Sequence, residues 1–157
     1  MTKSSGTTLG QAFDRRSVLS YCIGGAGAAL LASATPSRAA TMNFKATMNG
    51  ATEVPPNQTA GTGTVTATFD PGTKVLTWEG SFSGLTGPAT AAHFHGPAEP
   101  GKNAGVAVAI PNAGKTPAEG SATLTDAQAA DLEAGKYYVN VHTAANPGGE
   151  IRGQVMK

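Results

Sequence analysis

Cysteine is nearly missing from this chain of 157 residues: Cys22 is the only one, and none follows it. A disulfide framework is thereby excluded, and a metal site beyond that point has to use nitrogen and oxygen ligands or methionine sulfur. Charge is also scarce, at 13% of residues, and it is unevenly spread. Residues 1–39 hold Lys3, Arg15, Arg16 and Arg38 against Asp14, whereas the remainder holds seven Lys and Arg against nine Asp and Glu, a net −2. With no basic patch outside the N-terminus, a nucleic-acid partner is excluded. No nucleophile elbow, phosphate loop or dinucleotide fingerprint occurs, which removes the usual grounds for hydrolase or phosphate chemistry.

Long apolar runs are lacking as well. The longest, Tyr21 to Ala34, is rich in Gly and Ala and too short and weakly apolar to span a bilayer. It follows Asp14-Arg15-Arg16-Ser17-Val18-Leu19 and leads to Ser37-Arg38-Ala39, a small-x-small cleavage site. Residues 1–39 therefore read as a signal peptide, cut after Ala39 or Ala40. Its paired arginines resemble the twin-arginine signal of bacterial export, a route for folded proteins that often carry a cofactor. An ordinary secretory signal with two arginines is the other reading. Either implies a periplasmic or secreted protein, with no membrane anchor in the mature form. Cys22 does not sit in a good lipobox, because Tyr21 directly precedes it.

Residues 41–157 form one domain. Short β-type runs alternate with Gly, Pro and Asn at Asn43–Met48, Gly63–Phe69, Lys74–Phe82, Ala89–His95, Val106–Ile110, Gly120–Leu124, Lys136–Thr143 and Ile151–Met156. Asp70-Pro71-Gly72-Thr73 predicts a hairpin turn between the second and third runs. The fold class expected is an all-β antiparallel sandwich. One short helix interrupts it, begun by Thr125 and Gln128 as a capping box and closed by Gly135. Alternation puts Leu76, Trp78 and Phe82 on one face of the third run, and Tyr137, Val139 and Val141 on one face of the seventh.

The chain has three histidines, all within these runs. In Ala92-His93-Phe94-His95 the two imidazoles share a face, about 7 Å apart at roughly 3.3 Å per residue. In Tyr138-Val139-Asn140-Val141-His142 the apolar residues take the core phase, leaving His142 on the opposite face with Tyr138 and Asn140. Should these two runs be neighbours, His93, His95 and His142 form a three-imidazole cluster. Imidazoles without thiolates suit copper, with zinc as the alternative, and three protein ligands leave a position open for exchange or catalysis. The plainer reading makes each histidine a polar residue on a solvent-facing strand. Glu53, in the extended loop before Pro55-Pro56, is a further candidate ligand or a loop cap. Met42, Met48 and Met156 are too dispersed to form a methionine site.

Four segments carry a family resemblance: Gly50-Ala51-Thr52-Glu53-Val54-Pro55-Pro56, Ala92-His93-Phe94-His95-Gly96-Pro97-Ala98, Tyr137-Tyr138-Val139-Asn140-Val141-His142-Thr143 and Asn146-Pro147-Gly148-Gly149-Glu150-Ile151-Arg152-Gly153-Gln154. Together they resemble the CHRD domain, named from chordin. That resemblance implies a β-sandwich similar to immunoglobulin-like and Cu,Zn superoxide dismutase sandwiches. It also implies an extracellular setting, since chordin is an extracellular antagonist of growth factors and bacterial members are mostly small exported proteins.

A fainter similarity is to Cu,Zn superoxide dismutase, whose copper strand also carries an H-x-H pair. It would make His93, His95 and His142 copper ligands and Arg152 the cation that guides an anion inward; a pair with Glu150 or Glu53 is the other role for Arg152. The chain departs from that enzyme in having no bridging histidine, zinc subsite or cysteine pair. The expected function is an exported copper-binding protein for sequestration or delivery; if it is an enzyme, the chemistry is superoxide dismutase-like. A homodimer sharing the metal is one arrangement. The alternative is a metal-free extracellular interaction or adhesion module working through loops Gly96–Gly105 and Asn112–Pro117.

Overall fold

In a computed structural model, residues 39–157 are described. The signal peptide expected over residues 1–39 lies outside the described residues except for Ala39. The eight expected strands are all present: β1 Met42–Asn49, β2 Thr62–Asp70, β3 Val75–Ser83, β4 Ala89–His95, β5 Val106–Ile110, β6 Ala118–Thr123, β7 Tyr138–Thr143 and β8 Ile151–Gln154. A 3-10 turn, Gly50–Thr52, follows β1, and the helix α1 spans Asp126–Glu133 before β7. Thr125 and Gln128 make the reciprocal capping box, and Gly135 has the left-handed φ of 73° that ends such a helix cheaply.

All pairings are antiparallel, in the order β5-β4-β7-β8-β1-β2-β3-β6. The two edge strands, β5 and β6, approach one another, so the sheet curls nearly closed around its apolar side. The domain is thus all-β with one short helix. Strand alternation places Phe44, Ala46 and Met48 of β1, Val65 and Phe69 of β2, Leu76 and Trp78 of β3 and Phe94 of β4 inside. Trp78 meets Phe94 edge-on at 5.2 Å between ring centroids, and Leu132 of α1 is fully buried against this core. Phe82 lies at the margin, half-buried against the same cluster.

The outer face divides in two. Over β1, β2, β3 and β6 it is open, carrying exposed Lys45, Thr66, Thr68, Thr77, Glu79 and Ser121. Over β4, β7 and β8 it is roofed, because the β4–β5 connection (96–105) and the β7–β8 connection (144–150) fold back across it. Tyr138 and Asn140, placed on the outward phase by alternation, are consequently buried on the side away from the apolar core. Strand period fixes the face on which a side chain lies, but long connections decide whether that face meets water.

Candidate metal centre

The pairing of β4 with β7 sets Ala91 opposite His142, His93 opposite Asn140 and His95 opposite Tyr138. The three histidines share one face of two neighbouring strands, and a nitrogen of each lies within 4.8 Å of the others. Ring centroids are 5.0 Å apart for His93 and His142, 5.4 Å for His93 and His95, and 6.2 Å for His95 and His142. Metal–nitrogen bonds of about 2.0–2.1 Å require ligand nitrogens about 3.3–3.5 Å apart.

Backbone carbonyls orient two of the rings. His95 Nδ1–H donates to Ala104 O at 3.0 Å, and His142 Nδ1–H donates to Pro147 O at 2.9 Å. Each bond places the proton on Nδ1 and leaves the Nε2 lone pair for an electrophile, the outer-shell arrangement common to metal-ligating histidines. His93 Nδ1 lies 3.1 Å from His142 Nε2. His95 Nε2 is buried and has no hydrogen-bond partner, as is also true of Glu53 Oε1, Asn140 Oδ1 and Trp78 Nε1. Buried polar atoms are normally satisfied, because leaving one bare costs about 1–3 kcal/mol. Three of these four lie in and around the histidine cluster. The donor set fits a cation that takes imidazole nitrogen.

Burial lowers the pKa of His93, and the adjacent His142 and His95 lower it further. Burial also lowers that of His95 against the opposing hydrogen bond to Ala104, with His142 adding to the depression. Both rings are therefore neutral at neutral pH, the form that binds a metal. Glu53 is buried beside the cluster; burial raises its carboxyl, while the Val54 N–H bond and the charges of Arg152 and His142 pull the other way. Its Oε2 accepts from Val54 N–H at 3.2 Å, and it is not among the three groups whose nitrogens converge. Gly149 is needed here: its φ is +133°, and a Cβ would stand 2.6 Å from Asn140 Nδ2 and strike Glu53 Oε1.

Arg152 lies on the same face of β8, paired with Asn140, and is only 2% exposed. Its guanidinium donates to Asn103 Oδ1 at 2.9 Å and to Lys102 O at 2.6 Å, and rests 3.5 Å from the centroid of the Tyr138 ring. Tyr138 in turn stacks on His95, 4.9 Å between centroids and 5° from parallel. Its hydroxyl accepts from Ala104 N–H and donates to Ala104 O. The result is a three-layer stack of guanidinium, phenol and imidazole, held to the loop that supplies the His95 carbonyl partner. Of the two carboxylates named as alternative partners of Arg152, Glu150 is not among these contacts, whereas Glu53 is close enough to feel its charge.

Glu150 instead forms a separate hub, fully buried, whose carboxylate accepts from Thr59 Oγ1, Thr86 N–H, Thr86 Oγ1 and Thr143 Oγ1 at 2.6–2.7 Å. Burial raises its pKa, but the bonds from Thr143, Thr59 and Thr86 outweigh that and bring it down to about 2. Glu150 closes the same β7–β8 connection that carries Pro147 O, so it fixes the loop orienting His142. Sequence reasoning missed Ala104, Pro147, Asn103 and this hub. Backbone carbonyls have no residue signature, and Asn103 lies in a loop whose path only the folded chain defines.

An all-β domain with a three-imidazole cluster under two folded-back loops is the class so defined. Residues 44–155 match the CHRD domain, and the chain belongs to that family. Searches of curated proteins and of solved structures gave no match. CHRD domains occur in extracellular proteins, and among the described residues no helix is long and apolar enough to cross a membrane.

Proposed function

We propose that this CHRD protein is exported and binds copper through His93, His95 and His142, serving sequestration or delivery of the ion outside the cytoplasm. The observation that carries the reading is the bare Nε2 of His95: buried, its tautomer set by Ala104 O, on one of three histidines whose ligand nitrogens lie within 4.8 Å of one another. Copper leads zinc because imidazole donors without thiolate bind Cu(II) most tightly in the divalent series. Copper would supply a one-electron couple at such a site, and dismutation of superoxide is the enzymatic form of the same proposal.

The test is titration of tag-free protein with Cu(II) against a competing chelator, with EPR spectra of wild type and His142→Ala. One ion per chain, or one per two chains in a shared site, with nitrogen couplings that weaken in the variant, supports the proposal. Equal loss of copper from both proteins rejects it and favours the metal-free interaction module. In that reading, loops 96–105 and 112–117 serve a partner and the triple histidine variant retains function.

A further inference from the structure

The three histidines are not equivalent. His95 and His142 are each anchored by an Nδ1–H bond to a backbone carbonyl, on the β4–β5 and β7–β8 connections respectively. His93 has no such anchor; its one hydrogen bond is to His142 Nε2, and it is half-buried where His95 is 8% exposed. Because the His142 proton is on Nδ1, its Nε2 accepts, so the donor is His93 Nδ1–H. The nitrogen with which His142 would ligate is thus covered by a neighbouring imidazole before any ion arrives.

We infer that His93 is the exchangeable arm of the site: it caps His142 Nε2 in the metal-free protein and moves aside to ligate when an ion enters. The inference rests on the metal reading and deepens it, since an unanchored third ligand suits transfer of the ion more than permanent storage. The cap breaks one hydrogen bond and no covalent bond. His93 keeps its proton on Nδ1 and offers Nε2 after rotation about its side-chain torsions from one staggered well to another. His95 and His142 need no such turn, because their Nε2 atoms are already the unprotonated ones. Release runs in reverse: His93 leaves first, and its return to His142 Nε2 competes with the departing ion.

Two measurements on the full chain test this. In the metal-free protein, nitrogen NMR of the imidazoles should find all three in the Nδ1–H form, with a scalar coupling between His93 Nδ1 and His142 Nε2 across their hydrogen bond. An Nε2–H form for His142, or no coupling, overturns the cap irrespective of copper. In the loaded protein, copper removal by excess EDTA should quicken about tenfold or more in His93→Ala, since affinity differences within a site appear mostly in dissociation. His95→Ala and His142→Ala should lose more than the about 10–100-fold in affinity that loss of an outer-shell partner costs. His93→Gln, which keeps a donor toward His142 but not the imidazole, should release copper as fast as His93→Ala; this guards against a folding effect. Equal losses in all three alanine variants would reject the exchangeable arm while leaving the copper site standing. Failure of wild type to bind Cu(II) would reject both.

Discussion

Glu150 acts on the candidate ligands through a loop, Tyr138 through a loop and by stacking on His95, and each can be probed alone. Replacing Glu150 with Gln removes a charge that four donors converge on. The loss should be about 3 kcal/mol of unfolding free energy, measured by urea denaturation at pH 7. The folded-state pKa lies below the ordinary 4.5, at about 2. The wild-type contribution is therefore complete above about pH 4.5 and disappears as pH falls through about 2, and the variant should lack this part of the acid transition. Tyr138→Phe keeps the ring between His95 and Arg152 but removes both bonds to Ala104. Copper affinity should fall about tenfold, with little change in thermal midpoint. An unchanged affinity would mean that the stack alone positions His95. Since His93 and His95 are depressed from 6.5, chelator titrations at several pH values should find copper retained through neutrality and lost progressively below about pH 6.5. Loss already at pH 7.5 would contradict the neutral-ring assignment.

Among the elements, those with a strict period were readable in advance. The bounds of β4 and β5 coincide with the apolar and turn pattern, and the capping box of α1 follows from Thr125 and Gln128. Thr125→Ala should cost about 1 kcal/mol by denaturant titration. The shared face of His93, His95 and His142 also follows from alternation, given that β4 and β7 are neighbours. That neighbour relation is not a local property: it comes from sheet order, in which β4 pairs with a strand begun more than forty residues later. What was illegible is the roof. No periodicity says that 96–105 lies over Tyr138, or that Pro147 O reaches His142, because connections are positioned by tertiary bonds such as Arg152 to Lys102 O. Gly149→Ala should disturb the roof specifically, weakening copper binding while strand content by circular dichroism stays unchanged.

For the whole molecule, the split of charge and apolar residues at the N-terminus bears on destination. Replacing Arg15 and Arg16 by Lys should leave uncleaved precursor in the cytoplasm if the twin-arginine route is used. Fractionation of expressing cells would detect it, and normal appearance of the shortened form outside would assign export to the general secretory route.

The last strand, β8, lies between β7 and β1, joining the histidine-bearing half of the sheet to the rest and holding Arg152 under Tyr138. Without β8 the histidine-bearing strands β4 and β7 would keep their own pairing but lose the strand that joins them to β1. On the proposed reading, ion binding therefore depends on a strand that carries none of the three histidines. On that reading, a chain exported already folded would fill from the cytoplasmic pool, whereas one threaded through unfolded would fill from whatever lies outside.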